Sequence, residues 1–147
     1  MSPRGLLDTN TVILLDRMTD PAVLPDEPLI STITIAELSV GPLVATSERE
    51  RGVRQARLQA AEADFDPLPF DAAAARAFGR VAASLRRGGL KPEARVFDAL
   101  IAAVAIANSV PVFTCNPGDF RSIEDLEVVA VPHPGPIDAA PDNAGSS

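Results

Sequence analysis

Between Ala99 and Ala107 nine consecutive residues, ALIAAVAIA, carry no polar side chain. A helix of that composition has no face to give to water, so it must run through the interior of a domain. It is too short to cross a bilayer, which takes about 18 or more apolar residues, and no other stretch reaches that length. The chain of 147 residues is long enough to form one domain around such a helix and short for two. A carboxylate, Asp98, stands at the entrance to the apolar run.

Short apolar runs flank this segment on both sides. Gly5-Leu6-Leu7, Leu29-Ile30-Ser31, Phe65 to Leu68, Val110 to Thr114 and Val128 to Val131 each have strand length and strand composition. Helical patterns lie between them. Thr11 to Met18 is one, capped by Thr9 or Asn10. Thr32 to Val40 is another, stopped at Gly41-Pro42. Residues 46–63, 72–87 (ending at Gly88-Gly89) and Glu93 to Asn108 complete the set. Strands alternating with helices predict an α/β fold, a parallel sheet of four to five strands covered on both faces. Residues 1–131 form this domain. The remaining sequence, PHPGPIDAAPDNAGSS, has no apolar periodicity and reads as a disordered tail over 132–147.

Four acids fall where such a fold places function. Asp8 and Asp119 follow strands, and ligands of parallel sheets bind beyond the carboxyl ends of strands. Asp8 also fits an ordinary helix N-cap, and Asp119 an ordinary loop position after the turn Asn116-Pro117-Gly118. Glu37 stands three residues after Thr34, the spacing of a capping box, but Ile33, Val40 and Gly41 share its face. Asp98 shares a face with Ile101, Ala102 and Ala105, and either a salt bridge to Arg95 or a helix-dipole contact would satisfy it. Taken together, the four predict carboxylates gathered at one sheet edge. Gathered carboxylates repel unless cations neutralise them, and an all-oxygen donor set suits Mg²⁺ or Mn²⁺. Such ions activate water for phosphodiester cleavage.

Other chemistries lack their residues. The one histidine, His133, lies in the Pro-rich tail, which leaves no general base for a Ser-His-Asp plan. Cys115 has no histidine partner and, as a single cysteine, suits a reducing cytoplasm. No Walker-type loop occurs, and the absence of Trp and Tyr argues against a base-stacking platform. The start, Met1-Ser2-Pro3-Arg4, lacks the features of a signal peptide. Net charge is −7, unfavourable for a nucleic-acid partner, yet ten of the 13 basic residues lie between Arg49 and Arg95. A basic face can therefore coexist with an acidic pocket.

Four motifs carry a family likeness: Leu6-Leu7-Asp8-Thr9-Asn10, Ile35-Ala36-Glu37-Leu38 with Gly41, Ala94 to Ala103 (ARVFDALIAA), and Thr114-Cys115-Asn116-Pro117-Gly118-Asp119-Phe120. In this order and spacing, across residues 5–131, the chain resembles the PIN-domain ribonucleases, and particularly VapC-type toxins of toxin–antitoxin pairs. The resemblance implies a three-layer α/β/α sandwich and Mg²⁺- or Mn²⁺-dependent endonucleolytic cleavage of RNA. It implies that Asp8, Glu37 and Asp98 are the core metal-binding acids, with Asp119 a more variable fourth, and that Thr9, Asn10, Thr114 and Asn116 line the site. It also implies a homodimer neutralised by a small antitoxin. Pro117-Gly118 and the 16-residue tail depart from the family pattern. Arg86, Arg87, Lys91 and Arg95 are the sequence's candidates for RNA-backbone contacts.

Three rival readings differ in what they require. A haloacid-dehalogenase-like phosphatase also places Asp at the end of its first strand, but generally has a second acid two residues later, where Asn10 stands here. A non-catalytic binding module would use the four acids as caps. A PIN-type nuclease of RNA maturation would have no antitoxin.

Overall fold

The computed structural model describes residues 3–135. Four short strands, β1 (Arg4–Leu7), β2 (Glu27–Leu29), β3 (Val112–Thr114) and β4 (Val128–Ala130), form one sheet in the order β2-β1-β3-β4. All three pairings are parallel. The helices are α1 (Thr9–Ile13), α2 (Thr32–Val44), α3 (Glu48–Asp64), α4 (Ala72–Arg87) and α5 (Val96–Ala107). Residues 136–147, most of the expected tail, lie outside the described residues; Arg17 donates to the carbonyl of Gly135.

Alternation along the two central strands creates the layers. Leu6 and Val112 point to a core shared with Ala74, Ala77, Val81 and Leu85 of α4 and with Ile101 to Ala105 of α5. Leu7 and Phe113 point the opposite way, toward Val12 of α1, Leu38 of α2 and Ala61 of α3. Opposite side-chain directions on successive residues thus put one helical layer on each face, the expected α/β/α sandwich. The apolar helix is buried as its composition requires: Ala99 and Ile101 to Ala105 are at most 1% exposed. Alanines at 74 and 77 of α4 let the two helix backbones approach closely.

Several boundaries differ from the sequence expectation, each for a physical reason. The helix expected over Thr11 to Met18 is α1 followed by a 3-10 turn, Leu15–Arg17, and its cap is Asp8 rather than Thr9 or Asn10. Its β-branched run (Thr9, Thr11, Val12, Ile13) supports helix poorly. The helix after β2 is capped by Ser31, whose hydroxyl accepts from the Thr34 N–H, so Thr34 and Glu37 do not form a capping box. That helix also passes through Gly41-Pro42 to Val44. Carbonyls near its end are taken up by α3, since Arg54 donates to Gly41 O at 2.9 Å and Arg51 to Pro42 O at 3.3 Å. The expected strand Phe65 to Leu68 shrinks to a single parallel bridge between Ser31 and Leu68. Pro67 and Pro69 lack N–H groups, so only Leu68 can pair on both sides.

Gly5 shows how tightly β1 is held. A Cβ added there would lie 2.4 Å from two ring atoms of Phe113 and 3.1 Å from Pro25. Phe113 is itself 5% exposed and has little room to retreat. Gly5→Ala is expected to cost about 1–3 kcal/mol by overpacking. Chemical denaturation measures it, and an unchanged midpoint would show that the ring moves freely.

Candidate active site

Asp8 sits at the carboxyl end of central strand β1, 3% exposed, with both oxygens engaged. Oδ1 accepts the Thr11 N–H at 3.1 Å, and Oδ2 accepts the Thr114 hydroxyl at 2.7 Å. The cap and the site position are therefore the same carboxylate. Each oxygen retains lone-pair capacity for another partner. Thr114 ends β3, the neighbour of β1, and its hydroxyl oxygen also accepts the Asn116 N–H at 2.9 Å. A second stitch joins the same two strand ends, where Cys115 N–H donates to Thr11 Oγ1 at 3.2 Å.

Glu37 arrives from α2, whose Thr34 is fully buried. Thr9 donates its hydroxyl proton to Glu37 Oε1, and Thr9 Oγ1 lies 2.9 Å from Thr34 Oγ1. A hydroxyl has one proton, so Thr34 must be the donor to Thr9. The chain Thr34 to Thr9 to Glu37 aims the carboxylate from beneath. Burial, together with the Asp8 charge, raises the Glu37 pKa against the lowering effect of the Thr9 bond.

Asp98 occupies the first turn of α5. Its pKa is pushed up to about 6, first by burial and then by the charges of Asp119, Asp8 and Glu37. Arg95 acts on it in the opposite direction and least. Instead of bridging to Asp98, Arg95 reaches across to Asp119 Oδ1 at 3.2 Å. Asp119 ends the 3-10 turn Pro117–Asp119, and fully buried Phe120 anchors the chain just beyond it.

Four acids from four segments thus share one electrostatic neighbourhood, opposed by one guanidinium. Among the described residues no three of them converge to ligand spacing around a single point. The donor chemistry nevertheless fits a hard divalent cation. The groups are all oxygen, and two of them are held with their charged forms disfavoured, a penalty that a bound cation would reverse.

A cleft of about 370 Å³ opens beside Glu37, lined by Thr9, Asn10, Leu38, Gly41, Arg54 and Arg57 among others. Asn10 and Asn116 are exposed. Of the basic residues singled out from sequence, Arg86 and Arg87 are paired with Glu93 and Glu124 at 3.9 and 2.8 Å, and Lys91 is exposed just before the turn Pro92–Arg95. None of these three lines the cleft. Arg54 and Arg57 do, and sequence reasoning passed over them. Their i, i+3 spacing placed them on one helix face, but nothing in the sequence said which way that face turned.

A parallel sheet between two helical layers, with carboxylates meeting at the carboxyl ends of its central strands, defines a class of α/β domain. The PIN domain model matches residues 6–126, and the chain belongs to the PIN-domain family. Among its relatives, Ribonuclease VapC5 of Mycobacterium tuberculosis is 36% identical over 129 residues, 86% of this chain and 93% of that protein. Ribonuclease VapC of Rickettsia bellii is 31% identical over 130 residues, 86% of this chain and 96% of that protein. The crystal structure of VapBC-5 from Mycobacterium tuberculosis, a member of the VapBC family of toxin-antitoxin systems, superposes with a TM-score of 0.77 at 35% identity. It covers 88% of this chain and 99% of that one.

Proposed function

We propose that the chain is a VapC-type endoribonuclease, the toxin of a toxin–antitoxin pair, using Mg²⁺ or Mn²⁺ at Asp8, Glu37 and Asp98. The observation that carries this reading is that Asp98, pushed up to about 6 first by burial, also feels the charges of Asp119, Asp8 and Glu37, so that four acids from four segments share one neighbourhood. When bound, the cation supplies a hydroxide source near neutral pH and neutralises charge on the leaving oxygen. The chain's own residues do the positioning. The Thr11 N–H and the Thr114 hydroxyl fix Asp8, the threonine relay fixes Glu37, and burial of α5 fixes Asp98. Asp119, steadied by Arg95, orients the attacking water or helps to hold a second ion. Thr9, Asn10 and Asn116 line the substrate side, whereas Thr114, expected among them from the resemblance, is fully buried and instead holds Asp8.

The partners follow from the same reading: RNA as substrate, a small antitoxin as inhibitor, and a second copy of the chain as a homodimer. No helix among the described residues is long and apolar enough to cross a membrane, and the proposed place of action is the cytoplasm.

Purified protein incubated with total cellular RNA is expected to give discrete new ends with Mg²⁺ or Mn²⁺ and none with EDTA. Cleavage that persists in EDTA would overturn the metal-dependent mechanism. Adding Mn²⁺ to metal-free protein is also expected to raise the melting temperature, by about 2.7 kcal/mol of stabilisation at 100 times Kd. A non-catalytic module that uses its acids as caps would show no such rise.

A further inference from the structure

RNA is a polyanion, and the proposed site presents four carboxylates to it, so a fixed positive charge beside the site must help to hold the strand. Most of the basic side chains are already committed. Arg4, Arg51, Arg54, Arg86, Arg87 and Arg95 each pair with a carboxylate, and Arg17 donates to the Gly135 carbonyl. Arg49, Arg57, Arg76, Arg80, Lys91 and Arg121 have no ion-pair partner among the described residues. Of these six, only Arg57 lines the cleft that contains Thr9, Asn10 and Glu37.

The geometry points to Arg57 as a residue that grips an RNA phosphate next to the one being cut, an inference that rests on the ribonuclease reading. Arg54, one helical turn earlier, is held between Glu50 and the Gly41 carbonyl. It locks α3 against the end of α2 and so fixes the wall from which Arg57 extends. The Arg57 guanidinium has no such tie and keeps its donors for a ligand. A planar fork of N–H donors matches the non-bridging oxygens of a phosphodiester. At about 370 Å³ the cleft lies within the size range of small-ligand sites. Glu37 lines the same cleft, so a phosphate held by Arg57 belongs to a nucleotide beside that carboxylate.

Fluorescence anisotropy with a labelled single-stranded RNA, in EDTA so that the strand stays intact, tests this. Arg57→Ala is expected to weaken binding about tenfold and to reduce the slope of log affinity against log salt by about 0.7, the signature of one lost phosphate contact. Arg57→Lys keeps the charge and should restore the slope while recovering only part of the affinity. Arg76→Ala, an unpaired cation outside the cleft, should leave both unchanged. An Arg57→Ala protein that binds RNA like wild type, or an equal loss in Arg76→Ala, overturns the assignment. Failure of the wild-type chain to bind RNA overturns it as well. If instead wild type binds RNA, Arg57→Ala weakens that binding, and no cleavage occurs with Mg²⁺, the Arg57 contact stands and the nuclease reading falls.

Discussion

Asp98→Asn is expected to abolish RNA cleavage, with a loss on the order of 10³-fold or more, while making the metal-free protein more stable. The two effects come from one carboxylate. Asp98 is partly buried among three other acids, and its charged form is disfavoured in the folded state. With a pKa near 6 when folded against 3.8 for the free side chain, the folded protein binds a proton more tightly than the unfolded chain does. Stability of metal-free wild type should therefore fall as pH rises from about 4 to about 6 and level off above that. Asparagine cannot ionise, so the variant should lack this fall and gain roughly 1 kcal/mol at neutral pH, discounted because part of the group faces water. Melting curves across that pH window and a single-turnover cleavage assay together decide the matter. A variant that still cleaves RNA would remove Asp98 from the metal site.

Phe120→Ala is expected to cost about 3–5 kcal/mol, a large share of the roughly 5–15 kcal/mol that holds such a domain together. Phe120 is fully buried and packs into the core shared by α4 and α5. It also follows Asp119 directly, so its ring anchors the turn that holds the fourth acid. The melting temperature should drop by roughly 10 °C or more. Cleavage at a temperature where the variant is still folded should fall much less than in Asp98→Asn. A loss below about 1 kcal/mol would mean that the ring does not fill the core as described.

The arrangement of layers was legible because burial leaves a plain mark on sequence. The unbroken apolar run of α5 and the alternation of strands with helices carry the α/β/α sandwich without tertiary information. The four acids were legible as positions, two after strands and two in early helical turns. Their partners were not. That Thr114 holds Asp8, that Thr34 acts through Thr9 on Glu37, and that Arg95 turns to Asp119 depends on side-chain directions across 24 to 106 residues of separation. Local spacing instead suggested a Thr34–Glu37 box and an Arg95–Asp98 bridge, both reasonable in an isolated helix; Ser31 caps α2 in place of Thr34, Thr9 takes both Thr34 and Glu37 side chains, and Asp119 takes Arg95. The same limit explains α2: Gly41-Pro42 is a local stop signal, overridden by arginines from the next helix.

The sheet order sets when during synthesis a site can exist. Strand β1, made before every helix, lies between β2 and β3, and its neighbour β3 is translated only after α5. A growing chain that has emitted every helix through α5 still lacks the Thr114 hydroxyl that fixes Asp8, and Asp119 has not yet been added. Truncated products and unfinished chains therefore carry an incomplete acid cluster. With this strand order the proposed acid cluster cannot assemble until β3, made after all five helices, has paired with β1.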